Sequence, residues 1–144
     1  NTKCNTLIQL LPTSPFITSD EINQFIKYMI ENKLDTLVST TDVQIESIYK
    51  GQPINFEIME HTPPSQSLEP IKAYACGIMG WNRKNYIENM EKYNCAYHGA
   101  NGKVGYFPLK GFSTVDIDNE EDFMIAEAIA NGMDTSPSKV EYYK

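Results

Sequence analysis

Apolar positions come in bursts along this chain, and their spacing changes from one burst to the next. Residues 6–11 read "TLIQLL", a short apolar run stopped by Pro12 and Pro15, the pattern of a central strand followed by a loop. In "TSDEINQFIKYMIENK" the spacing turns helical, and Ile22, Phe25, Ile26 and Met29 form one stripe. Thr18 or Ser19 can cap that helix, with Asp20 and Glu21 suited to the positive end of its dipole. "LDTLVSTT" returns to a strand pattern over 36–41. Strand, helix and strand in close succession predict a βαβ unit, and with it a parallel sheet.

The middle of the chain changes character. Lys50-Gly51 is a turn signal, and Ile54, Phe56 and Ile58 alternate with polar residues, as in a hairpin with one apolar face. Such a hairpin is too small to bury that face alone, so residues 46–70 are expected to form an arm that docks elsewhere. "AYACGIMGW", 73–81, is a further apolar strand. "NRKNYIENMEKYN" is a helix capped by Asn82, with Tyr86, Ile87 and Met90 on one face. "HGANGKVG" is a turn-rich connection centred on Asn101-Gly102. "YFPLK" and "STVDID" are two short extended pieces, followed by a helix over 119–131 that Gly132 stops. Strands alternating with helices place all 144 residues in one α/β domain.

Composition narrows the possible partners. Nineteen acidic residues against 12 basic ones give a formal charge of −7, with no basic run, so a nucleic-acid partner is not expected. No apolar run approaches the roughly 18 residues of a membrane span, and a membrane partner is not expected either. Cys4, Cys76 and Cys95 show no metal or disulfide spacing, and a cytoplasmic setting is the default for such cysteines. The run at 6–11 reads as a buried strand with nothing before it to pair with. A longer protein with earlier strands is the expectation.

Two places invite chemistry. In "STVDIDNEEDFMIAEAI", an extended backbone would turn Asp116 and Asp118 to one side and Ile117 to the core. Two carboxylates at the carboxyl end of a strand suit Mg²⁺, which often takes one or two carboxylates plus substrate phosphates. Alternatively, Asp118 or Asn119 caps the helix while Glu120, Glu121 and Asp122 complement its dipole; that account leaves Asp116 unexplained. In "PTSP", the Thr13 and Ser14 hydroxyls can bind a sugar or phosphate, or equally satisfy their own loop. His61 and His98 lack a partner at metal spacing. Cys76 reads as a small core residue, and Trp81 and Tyr106-Phe107 as core or interface.

Taken in order, "LIQLLPTSPF", "AYACGIMGW" and "STVDIDNEEDFMIAEAI" resemble the acylneuraminate cytidylyltransferases over nearly the whole chain, about 6–130. The resemblance implies a Rossmann-like nucleotide-diphospho-sugar transferase sheet, here incomplete at the N-terminus, with a small β-rich dimerisation arm. It implies an enzyme that couples CTP to an acidic nine-carbon sugar and releases pyrophosphate, as a Mg²⁺-dependent homodimer. Asp116 and Asp118 fall on the metal-binding, catalytic aspartates of that family, and Thr13 and Ser14 on its substrate loop. Gln66 falls on a glutamine that reaches the sugar across the dimer. The sequence departs from the family in four respects. The Gly-rich, Lys-bearing CTP loop is absent. Leu11 stands where a glutamine is usual, although Gln9 would face the same side and take its substrate-binding place. Ser65 stands where an arginine is common, and Phe16-Ile17 replaces Leu-Arg. Without the CTP loop, a non-catalytic assembly or binding module on the same fold is the alternative.

Overall fold

A computed structural model describes residues 4–59, 61 and 64–134 of the chain. Four strands form the main sheet: β1 (Thr6–Leu10), β2 (Thr36–Val43), β5 (Ile71–Asn82) and β6 (Val104–Leu109), in the order β1-β5-β2-β6. Helix α1 (Ser19–Glu31) links β1 to β2, α2 (Arg83–Tyr93) links β5 to β6, and α3 (Glu120–Asp134) follows. Two-residue strands β3 (Ile48–Tyr49) and β4 (Gln52–Pro53) make a separate hairpin.

The strand–helix–strand unit forms, but the sheet is mixed. β1 and β2 both pair antiparallel with β5, so they run in the same direction with β5 between them; β2 and β6 are parallel neighbours. β1, expected as a central strand, stands at an edge among the described residues. Only β5 pairs with it there, and Leu7 and Leu10 are exposed. The carboxyl ends of β1, β2 and β6 share one edge of the sheet, and the segments that leave them all gather there.

Two clusters make the core, one on each face. Phe25 and Met29 of α1 pack with Leu34, Leu37, Ile78 and Leu109. Val38, Met79 and Trp81 pack on the opposite face with Tyr86 of α2. The capping of α1 is as its sequence predicts. The Thr18 hydroxyl accepts from the Glu21 N–H at 3.2 Å, and the Glu21 carboxylate accepts from the Thr18 N–H at 2.9 Å. Such a box stabilises a helix by about 1 kcal/mol.

Elsewhere the folded chain corrects the sequence patterns. The face of α2 chosen as apolar is mostly open: Ile87 and Met90 are exposed, and the buried residue is Asn89. Loop carbonyls beside the helix give this amide its partners, which makes a polar residue the better fit. α3 runs through Gly132 to Asp134, because one glycine costs a helix about 1 kcal/mol but does not end it. Ile54, Phe56 and Ile58 lie beyond the hairpin in bends and turns, since β4 ends at Pro53. The turn itself is as expected: Lys50 and Gly51 both adopt positive φ, 51° and 78°, as a two-residue hairpin turn requires.

Candidate active site

The site is built at the shared carboxyl edge, where a break in β5 makes room. Between Val38 and Thr40 the partner residue on β5 steps from Met79 to Tyr74, two residues on β2 against five on β5. The extra residues form a bulge in which Cys76 takes a left-handed φ of 54°. The buried Ser39 hydroxyl fills the gap in the ladder by accepting from the Ile78 N–H at 3.0 Å. The loop after β1 docks on this bulge, with the Leu11 N–H donating to the Gly77 carbonyl at 3.1 Å. Gly77 is required there: a Cβ would lie 2.5 Å from Ile17 Cδ1 and 2.8 Å from Ser14 Oγ.

The segment after β6 meets the same loop. It is not the strand its alternation suggests: a 3₁₀ turn at Gly111–Thr114, begun by Gly111 at φ 58°, ends extended pairing, and 115–119 is irregular. Two tethers hold it. The Ser113 hydroxyl donates to the Glu21 carboxylate at 2.7 Å, and the Ile117 N–H donates to the Thr13 carbonyl at 2.9 Å. Between them the buried Ser14 hydroxyl donates to Asp116 Oδ1 at 3.3 Å. Burial alone would raise Glu21. Hydrogen bonds from Ser113 and from the Thr18 N–H and hydroxyl outweigh it and hold the carboxyl below its ordinary value.

Thr13, Ser14 and Asp116 are therefore brought together. Asp118 is exposed, and the cap beside it belongs to Asn119. The Asn119 side-chain carbonyl accepts from the N–H groups of Glu121 and Asp122, while the Asp122 carboxylate accepts from those of Asp118 and Asn119. Capping thus accounts for 119–122 and leaves both Asp116 and Asp118 without that duty. Neither carboxylate forms an ion pair among the described residues. Two hard, anionic oxygen donors fit Mg²⁺ in kind. The described residues contain no group of three or more potential ligands, so other donors would have to come from substrate and water.

Gln9 lies on β1 opposite Met79, and its neighbour Ile8 packs into the α1 core, so Gln9 belongs to the opposite face. Gln66 is exposed in a short 3₁₀ turn of the arm, where its carbonyl accepts from Gln44 at 2.8 Å. No contact among the described residues links Gln66 to Asp116.

The sequence patterns did not reveal how the face shared with Gln9 is lined. Tyr74 stacks obliquely on His98 at 5.5 Å and on Tyr106 at 6.3 Å; Tyr97 meets His98 at 5.1 Å and Trp81 at 5.6 Å. Cys76 sits between this array and Asp116 rather than in the core, half-buried. Burial first and the Asp116 carboxylate second push its thiol up, so it stays protonated. Burial, then Tyr106, likewise raises Tyr74. The signal for this array was the wide scatter of Tyr74, Tyr97, His98 and Tyr106, which only the β5 register brings together.

Solved structures share this architecture. The 4-diphosphocytidyl-2C-methyl-D-erythritol synthase of Anaerococcus prevotii superposes with a TM-score of 0.61 at 14% identity, over 91% of this chain and 61% of that one. The chain shares that enzyme's fold, a mixed α/β sheet with helices. The chain spans about three-fifths of that enzyme's length. It matches no protein-family model, and no curated protein is similar to it in sequence. No helix among the described residues is long and apolar enough to cross a membrane.

Proposed function

We propose that the chain carries the acceptor and metal side of a cytidylyltransferase that couples CTP to an acidic, sialic-acid-like nine-carbon sugar. The observation that carries this reading is the junction of "PTSP" with "DID". Ser14 and Asp116, 102 residues apart, are hydrogen-bonded at the carboxyl edge of a sheet that a diphosphocytidyl-compound synthase shares. In such sheets ligands bind at that edge.

In the proposed reaction a sugar hydroxyl attacks the α-phosphorus of CTP and pyrophosphate leaves. Negative charge builds on the phosphate oxygens, so catalysis is mostly positioning and charge neutralisation. Mg²⁺ held by Asp116 and Asp118 would supply that neutralisation. Ser14 orients Asp116 through its hydroxyl, and the Thr13–Ile117 tether fixes where the second carboxylate begins its approach. Gln9 presents an amide to the sugar from the sheet face.

The arm completes the reading. Ile48, Ile54, Ile58 and Met59 are exposed there, Met59 to 95%. A second copy of the chain would cover them and bring its Gln66 to the sugar.

Asp116→Asn and Asp118→Asn, made together in the full-length protein, are expected to abolish Mg²⁺-dependent pyrophosphate release from CTP and the sugar. Near-normal turnover in that double variant would refute the metal assignment. Sedimentation of a stable monomer would refute the dimer.

A further inference from the structure

The loop that carries Tyr97 and His98 is held by an amide network that neither the core nor the proposed chemistry explains. Asn89 of α2 is only 3% exposed, yet it is polar. Its Nδ2 donates to the Asn101 carbonyl at 2.9 Å, to Asn85 Oδ1 at 2.8 Å and more weakly to the Gly99 carbonyl at 3.4 Å. Its Oδ1 accepts from the Asn101 N–H at 3.3 Å. Asn85, whose Oδ1 accepts from Asn89, donates its own Nδ2 to the same Asn101 carbonyl at 2.9 Å. The α2 side chains thus grip one loop residue through both its backbone groups, where a buried amide without such partners would be costly.

That loop cannot easily settle elsewhere. Asn94, Gly99, Ala100 and Gly102 all have positive φ, a conformation the surroundings must enforce at Ala100. At its other side the Trp81 indole N–H donates to the Tyr97 carbonyl at 3.0 Å. The aromatic array therefore hangs between two anchors, Asn89 on the helix and Trp81 on the sheet. From it the His98 ring, with Tyr97 packed edge-on against it, reaches Tyr74 on the face that carries Gln9, next to Cys76 and Asp116.

We propose that Asn89 is a positioning residue for this cleft, clamping Asn101 so that Tyr97 and His98 stand as a fixed aromatic wall on the acceptor side. It touches no reacting group itself. The proposal rests on the reading of the edge as a nucleotidyl-transfer site, but its first test does not.

Trp81 is the only tryptophan, and its hydrogen bond to Tyr97 makes its fluorescence a direct report on the loop. Asn89→Ala is expected to keep its helical circular dichroism, shift Trp81 emission to the red and raise iodide quenching about twofold. In the full-length protein the same variant should raise the KM for the sugar about tenfold and leave the KM for CTP within about twofold. Should Asn89→Ala fail to fold, Asn89→Asp serves. It keeps the acceptor for the Asn101 N–H but sets a carboxylate against the Asn101 and Gly99 carbonyls, and the same shifts are expected. Unchanged Trp81 emission and quenching in the folded variant would overturn the proposal, as would equal losses toward both substrates. A wild-type protein that does not turn over CTP refutes the proposed function alone, and the fluorescence result still decides the role of Asn89.

Discussion

Adding one methyl group at Gly77 should disturb both stability and the site, by a route that can be traced atom by atom. Gly77 lies outside the left-handed region, so Gly77→Ala brings no backbone penalty of that kind, and the whole effect is steric. The new Cβ would sit 2.5 Å from Ile17 Cδ1, 2.8 Å from Ser14 Oγ and 3.0 Å from Ser14 Cβ. Ile17 can swing the end of its side chain aside. Ser14 cannot, because its Cβ is fixed to the loop backbone; the loop must shift or the hydroxyl must rotate away from Asp116. Overpacking of this kind costs about 1–3 kcal/mol, and the Ser14–Asp116 bond adds to it where it is lost. With a total near 2 kcal/mol and a urea slope of about 2 kcal/mol per molar, the unfolding midpoint should fall by about 1 M. Urea unfolding followed by circular dichroism reads this directly. In a Ser14→Ala background the contact to Oγ no longer exists, so part of the cost should vanish as a coupling between the two sites. A midpoint within about 0.2 M of wild type, or full additivity of the two changes, would refute this account of the bulge.

Two more predictions test the groups that flank the site. Because Glu21 is held below its ordinary value of 4.5, it favours the folded state above that pH. This contribution is lost as pH falls below 4.5 through the lowered folded value, and Glu21→Gln should flatten that acid limb relative to wild type. Urea midpoints measured from neutral to acid pH check it, and parallel curves for the two proteins would contradict it. Thr40 is fully buried and its hydroxyl has no hydrogen-bond partner among the described residues. Thr40→Val should therefore be neutral or stabilising by up to about 1 kcal/mol, since an unmatched buried hydroxyl costs about 1–3 kcal/mol. Calorimetric destabilisation by more than about 1 kcal/mol would reveal a partner for that oxygen.

Local signals carried the sequence a long way, and non-local pairing marks where they stopped. Thr18 and Glu21 announce α1 because capping involves residues three apart, and Lys50-Gly51 announces its turn for the same reason. The antiparallel entry of β5 between β1 and β2 leaves no such trace, since an apolar run such as 75–81 looks alike in either direction. "STVDID" alternates as a strand does, but a strand needs a neighbour, and Gly111 turns this segment away from the sheet before it finds one. Its aspartates stand out in the sequence because capping accounts for 119–122 and leaves Asp116 over. The aromatic array and the Asn89 clamp escaped notice for the opposite reason. Asn82, Asn85 and Asn89 are spaced along one helix flank, which is legible, but their partners belong to a loop that only the tertiary fold brings near.

The placing of β5 also sets an order of events on the ribosome. Val43, the last residue of β2, precedes Asn82, the end of β5, by 39 positions. At about 5–20 residues per second, β1 and β2 emerge roughly 2–8 s before the strand that joins them is complete. In that interval each of the two strands has an unsatisfied inner edge, and Leu37 and Val38 have no sheet to lie in. The nascent chain is then most open to mispairing with other chains. Codon choice or chaperone supply across residues 44–82 should govern soluble yield more than the same changes over α3.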